Sequence, residues 1–276
     1  MDIIQAIIIG LIQGLTEFLP VSSSAHLLFA QYFLGITEPN LTFDVVLHFG
    51  TIIAVIAYFW RDIIQMIISF FLSLIDLVNG KFLTEVRKDP YKKLTWLVII
   101  GIIPVAVVGY VLNDFIESLF VGISIPAFFL LVTGCILYFS QRMNSGEINL
   151  NNMTWKDTLI VGCGQACALL PGLSRSGTTI ATGLFLGLDK EFAAKFSFIL
   201  SIPVILGATA YQLTDVTTSN IDILPWILGF VAAAIAGYLA ISFLLKLIKE
   251  RSLDIFAYYC WIVGAIILVG SLVFGL

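Results

Sequence analysis

Charged side chains are scarce in this sequence. Asp, Glu, Lys and Arg make up 12% of its 276 residues while 59% are hydrophobic, and a water-soluble domain ordinarily carries about a quarter charged residues. That shortage excludes a conventional soluble globule. Segments such as "ISIPAFFLLVTGCILYF" are apolar on every side of a helix, not along one stripe, so the chain reads as a polytopic membrane protein whose solvent is lipid. Basic residues are fewer than acidic ones, 14 against 18, for a net charge of -4; there is no basic field to hold nucleic acid. The four cysteines, Cys135, Cys163, Cys167 and Cys260, all lie in apolar segments. Cys163 and Cys167 lack the second pair of ligands that a zinc site requires, which leaves them as small packing residues. The start, "MDIIQAIIIGLIQG", has an acid at position 2 and no basic leader, so it is expected to be the mature terminus.

What is present is a set of long apolar runs. About 20 residues are needed to cross hydrocarbon, whereas runs of about 10 to 14 tend to turn back. Six stretches are long enough to cross: 43 to 60, 94 to 112, 121 to 140, 196 to 213, 224 to 245 and 255 to 276. Two more regions, 3 to 34 and 158 to 188, are each broken by a proline and a polar cluster, "PVSSSAH" and "PGLSRSGTT". Their arms are too short to cross and are expected to form re-entrant hairpins. Their broken tips are expected to line a cavity, because bare backbone in lipid would leave N–H and C=O groups without partners.

The two broken regions also resemble each other. Aligning "IGLIQGLTEFLPVSSSAHLLFAQYFLG" with "VGCGQACALLPGLSRSGTTIATGLFLG" pairs Gly10 with Gly162, Gln13 with Gln165, Pro20 with Pro171 and Gly35 with Gly187; further on, "LTWLVIIGIIPVAVVGY" echoes "LPWILGFVAAAIAGY". The expected architecture is all-α: six transmembrane helices and two re-entrant hairpins in one membrane domain, 1 to 276, built as an inverted-topology repeat. Repeat one covers 1–112 and repeat two 156–245, with a linking helix at 121–140 and a C-terminal helix at 255–276. Lys81, Arg87, Lys88, Lys92 and Lys93 mark one cytoplasmic loop, Arg142 and Lys156 a second, and Lys246, Lys249 and Arg251 a third. Segment 62–80, with Arg61 and Lys81 at its ends, is expected to be interfacial or re-entrant.

Polar residues in the breaks carry the functional signal. Gln13 and Glu17 stand four apart and share a helix face leading into Ser22, Ser23, Ser24 and His26. Ser22 and Ser24 serve equally well as helix caps. Glu17 and His26 are costly inside a membrane segment and mark a pathway or a catalytic site. In the second break Arg175 is the only strongly basic group between Asp157 and Lys190, set among hydroxyls at a helix start; that is anion-site chemistry. Gly172 and Gly177 let backbone approach closely. His48 and Asp44 fit either a pair facing the cavity or a pair at a helix end, and stay outside the expected core site. Glu17, Ser23 and His26 set against Arg175 supply a nucleophile, an acid/base pair and an anion clamp, the parts needed to hydrolyse a phosphate ester or anhydride.

"QGLTEFLPVSSSAHL" and "PGLSRSG" resemble the two signature regions of the undecaprenyl-diphosphate phosphatase family of the bacitracin-resistance type, and the duplicated apolar layout is similar along essentially the whole chain. The resemblance implies removal of one phosphate from a polyprenyl diphosphate, which recycles the lipid carrier of cell-wall glycan assembly. It implies a site opening to the outer side of the cytoplasmic membrane and a divalent cation, Mg²⁺ or Ca²⁺. Residue by residue, it implies Glu17 as the motif carboxylate and metal ligand, Ser23 as nucleophile with His26 as its acid/base partner, and Ser174, Arg175, Ser176 and Thr179 as the phosphate-binding side; Ser22 and Gly177 fall within the same motifs. Family members carry Glu or Gln at the position of Gln13, so here the pair offers a single carboxylate. Ser23 and His26 are both competent nucleophiles.

Two rivals come from other classes. A lipid-phosphate flippase built on inverted repeats would use the same Arg and broken helices, but it has no need of a nucleophile. An intramembrane serine protease would have no need of Arg175.

Overall fold

A computed structural model of the chain describes residues 1–36, 41–120, 122–143, 146–212 and 223–274. The described residues are almost wholly helical. The first hairpin is α1 (Ile3–Phe18) and α2 (Ser23–Phe33), followed by α3 (Leu41–Tyr58), α4 (Trp60–Val78), the short α5 (Phe82–Lys88) and α6 (Pro90–Val111). A one-turn α7 (Asn113–Ser118) leads to α8 (Ser124–Ser140). The second hairpin is α9 (Trp155–Cys167) and α10 (Arg175–Phe185), followed by α11 (Lys190–Gln212), α12 (Ile223–Glu250) and α13 (Asp254–Phe274).

The six segments expected to cross are largely helical within the described residues, with 121, 213, 275 and 276 outside them, but α8, in segment 121–140, has only 17 residues and falls short of a crossing length. Four of them, α6, α11, α12 and α13, are long and apolar enough to cross a membrane unaided, and α3 reaches that length only with α4, to which it is bent by 88°. Segment 62–80 is thus a helix at a right angle to α3 and does not run alongside it. Several of its polar residues look inward: Ser69 and Ser73 are buried, Asp76 pairs with Lys92 at 2.5 Å, and Asp62 pairs with Lys195 at 2.9 Å. Its apolar residues look out, with Val78 87% exposed. Polar residues are buried and apolar ones exposed elsewhere too. Gln13, Thr51 and Ser201 are fully buried while Tyr110 is 87% and Leu272 75% exposed, as expected where the surroundings are hydrocarbon.

Local sequence explains where the hairpins break. Asp2 caps α1 in a capping box with Gln5. Pro20 then disfavours helix at Leu19, which is extended at φ -68° and ψ 143°. Thr154 and Asp157 cap α9 in the same way. Pro171 and Gly172, the latter at φ +98°, turn the chain at the second tip. Residues 20–22 and 171–174 are buried by surrounding helices, which is how broken backbone is tolerated at this depth.

The two hairpins pack in matching ways. The first arm of each hairpin lies against the last helix of the other half, α1 on α12 and α9 on α6. In each pair glycine meets glycine: a Cβ on Gly10 would strike the Gly229 carbonyl, and one on Gly162 the Gly101 carbonyl. α3 and α11 pack on each other between these pairs, and α8 packs on α13 at one side.

Candidate active site

The two hairpin tips meet. Ser176 Oγ donates to the Leu19 carbonyl at 3.1 Å, and the Gly172 amide donates to Ser24 Oγ at 3.4 Å. Each tip is built alike. Ser22 Oγ accepts from the Ala25 amide and lies 3.2 Å from Ser24 Oγ; Ser174 Oγ accepts from the Gly177 amide and lies 3.2 Å from Ser176 Oγ. Ser22 and Ser174 are the N-caps of α2 and α10, which makes Ser23 and Arg175 the first residue of each helix. Ser22 is also the one non-glycine residue at positive φ, +69°, among the described residues, a strained conformation of the kind that gathers at functional sites.

Neighbouring helices hold the tips in place. Thr133 of α8 donates to the Gly172 carbonyl at 3.0 Å and accepts from the Ser174 amide at 3.1 Å. Thr179 joins α10 to Ser197 of α11, hydroxyl to hydroxyl, at 2.6 Å. Cys260 of α13 reaches the Pro20 carbonyl at 3.7 Å.

Glu17 is the centre of the arrangement. Its side chain is 5% exposed. Arg175 Nη2 donates to Oε1 at 2.9 Å; Ser23 Oγ donates to Oε2 at 2.6 Å and Gln13 Nε2 to the same oxygen at 2.9 Å. A buried charge is stable only when paired and hydrogen-bonded, and here all three partners are expected site residues. The Arg175 guanidinium also reaches the Glu17 carbonyl with Nη2 and the Ser197 carbonyl with Nη1. Three of its five N–H donors are thereby engaged among the described residues. The N-termini of α2 and α10 add first-turn amides, which have no intrahelical partner, and the positive ends of two helix dipoles.

His26 takes another direction. Nδ1 faces the Ser22 carbonyl at 2.8 Å, Nε2 the Tyr259 hydroxyl at 2.8 Å, and the two rings stack with planes 14° apart. Its recorded partners are Ser22 and Tyr259, not Ser23 or Glu17. The imidazole beside the carboxylate is that of His48, with Nε2 3.9 Å from Glu17 Oε2. Its sequence signal was the i, i+4 spacing with Asp44, which serves a helix end equally well. Tyr259, Thr133 and Ser197 gave no sequence signal beyond being polar atoms in apolar helices.

Among the described residues no group of three His, Cys, Asp or Glu side chains is placed to hold a metal ion. Both Glu17 oxygens are taken, one by a guanidinium. The free oxygen next to them is Gln13 Oε1, which is buried and unpartnered among the described residues. One occupied carboxylate and one amide oxygen do not fit a resident divalent cation, which needs near-complete oxygen coordination.

A model of the bacitracin resistance protein BacA family matches residues 6–266. The chain belongs to that family. Among its relatives, the undecaprenyl-diphosphatase of Methanobrevibacter smithii is 62% identical over 274 residues, covering 99% of each chain. The undecaprenyl-diphosphatase of Methanosphaera stadtmanae is 48% identical over 275 residues, again covering 99% of each. That of Halothermothrix orenii is 42% identical over 272 residues, covering 98% of each. The match to BacA takes in both hairpins and every helix from α2 to α12 in full, so the resemblance read from two short motifs extends through the fold.

Proposed function

We propose that this membrane protein is an undecaprenyl-diphosphate phosphatase, which hydrolyses the lipid diphosphate to the monophosphate and inorganic phosphate and returns a carrier to cell-wall glycan synthesis. The observation that carries this reading is the hydroxyl of Ser23 and the guanidinium of Arg175 meeting on the two oxygens of Glu17. A carrier of lipid phosphates needs the cation and the helix N-termini, but it has no use for a hydroxyl polarised by a buried carboxylate.

The terminal phosphate enters between the tips of α2 and α10. The Arg175 guanidinium and the first-turn amides hold its charge, and they oppose the charge that builds up in transfer. Ser23 Oγ attacks the terminal phosphorus as its proton moves toward Glu17. The bond to the bridging oxygen breaks and the lipid monophosphate leaves. Water then attacks the phosphoserine, releasing inorganic phosphate and restoring the Ser23 hydroxyl. Gln13 and Arg175 keep Glu17 aimed at Ser23; Ser22, Ser174, Ser176, Gly177 and Thr179 keep the two tips in register. His26 can act as an acid/base partner only by leaving Tyr259. A divalent cation is assigned to the substrate, arriving with the diphosphate as its counter-ion, because Mg²⁺ ordinarily binds through phosphates with few protein ligands. The membrane is read as the cytoplasmic one and the site as opening to its outer side because the chain belongs to the BacA family, and the absence of Lys and Arg from segments 113–118 and 214–224 suits those loops to the outer side.

Phosphate release from polyprenyl diphosphate in detergent tests this function, because no compartments exist there for transport. Turnover by wild type that is lost in Ser23→Ala supports it; absence of release by wild type would end it.

A further inference from the structure

Glu17 must be ionised again before each turnover, and it is shut off from water: its side chain is 5% exposed, against 31% for that of His48. His48 sits on α3, which packs against α1. Its Nδ1 lies 2.7 Å from the Asp44 carbonyl, an atom that can only accept, so Nδ1 carries the hydrogen and the lone pair of the neutral ring is on Nε2. Nε2 is the atom that faces Glu17, and it faces Oε2, the oxygen to which Ser23 donates. The 3.9 Å gap closes to a hydrogen bond with a shift of about 1 Å. The backbone contact sets which nitrogen faces Glu17, and the Asp44 carboxylate is engaged elsewhere, both oxygens accepting from Gln31 Nε2 at 2.9 and 3.1 Å. Arg175 is on the far oxygen, Oε1.

We propose that His48 is the proton-relay residue of this site, acting through Glu17. The inference rests on the phosphatase reading above. As the Ser23 Oγ–P bond forms and the bond from phosphorus to the bridging oxygen breaks, the electron pair leaves with the lipid monophosphate. The Ser23 proton passes through Glu17 Oε2 to His48 Nε2 and from there to water. In the second half, the attacking water gives its hydroxyl to phosphorus and its proton to Ser23 Oγ, so one proton is released per turnover. His26, held by Ser22 and Tyr259, is not required for this transfer.

The test measures phosphate release from polyprenyl diphosphate by purified full-length wild type, His48→Gln and His48→Ala, each with and without added imidazole. His48→Gln keeps a side-chain donor but cannot take up a proton. Both variants are expected to lose about 100-fold in kcat with KM little changed, and imidazole is expected to restore His48→Ala by at least about fivefold while leaving wild type unaffected. Wild-type kcat in His48→Gln overturns the proposal. So do variants that are slow and gain nothing from imidazole, because that pattern belongs to a purely structural residue. An inactive wild type would instead defeat the phosphatase reading, and the relay with it.

Discussion

Ser23 and Arg175 are the first residues of two equivalent helices, and both close on one carboxylate: Ser23 on Oε2 of Glu17 at 2.6 Å and Arg175 on Oε1 at 2.9 Å. Two similarly built caps thus meet at one point, and the first residue of each helix makes one tip a hydroxyl donor and the other a guanidinium donor to the same carboxylate. Glu17 has no counterpart in the second hairpin, where the aligned residue is Leu169. The site is asymmetric although its scaffold is not.

Removing Arg175 should separate charge pairing from catalysis. Arg175→Ala leaves Glu17 buried beside an empty space, and breaking a buried pair costs about 3–5 kcal/mol. A large fall in thermal stability in detergent is expected, together with loss of phosphate release by at least about 100-fold. Adding Glu17→Gln should recover much of the stability and none of the activity. A double variant as unstable as Arg175→Ala would show that the guanidinium acts through other contacts.

The glycine contacts between halves give a test of packing. Gly10→Ala and Gly162→Ala each push a methyl group into a backbone carbonyl, of Gly229 and Gly101 respectively, and a backbone cannot step aside as a side chain does. Each is expected to destabilise by about 1–3 kcal/mol or more. Gly207 sits within α11 with open space where a Cβ would go; Gly207→Ala should be neutral or stabilise by up to about 1 kcal/mol. Thermal unfolding of the three variants in one detergent makes the comparison.

Much of this was legible in the sequence because it rests on local rules. Proline 20 stops the helix it follows and proline 171 lies in the turn after its helix, serines 22 and 174 start the next ones, and a lone carboxylate and a lone guanidinium in apolar runs have to find each other. The direction of His26 was not legible. It depends on Tyr259, 233 positions away, and no local pattern marks one tyrosine among nine. His48 failed for a different reason: its i, i+4 partner suggested Asp44, whereas the structure turns the Asp44 carboxylate to Gln31 and the imidazole toward Glu17. Four residues of spacing fix a helix face, but they do not say which neighbour that face meets.

Tyr259 gives a way to ask what holds His26 aside. Tyr259→Phe removes the hydroxyl at Nε2 and keeps the ring that stacks on the imidazole. Phosphate release is expected at or above the wild-type rate, since a ring freed from Tyr259 remains anchored by the Ser22 carbonyl. A fall of more than about tenfold, or 1.4 kcal/mol, would mean that the hydroxyl belongs to the working site.

Gln13 offers a test of where a divalent cation would sit. The amide gives one hydrogen bond to Glu17 through Nε2 and leaves Oε1 buried without a partner among the described residues. Gln13→Glu replaces that amide with a second carboxylate four residues from the first, on the same face of α1. Two buried carboxylates at one place repel unless a proton or a cation joins them, and Arg175 is committed to the far oxygen of Glu17. Gln13→Glu is therefore expected to gain resident cation binding: phosphate release should saturate at lower Mg²⁺ than in wild type, by about tenfold, and Mg²⁺ should raise its thermal stability in the absence of substrate. The wild type should need Mg²⁺ in proportion to its diphosphate substrate and show no such shift without it. Mg²⁺ titrations of activity and of melting temperature on the two proteins decide the matter, and equal behaviour in both would place the cation on other residues.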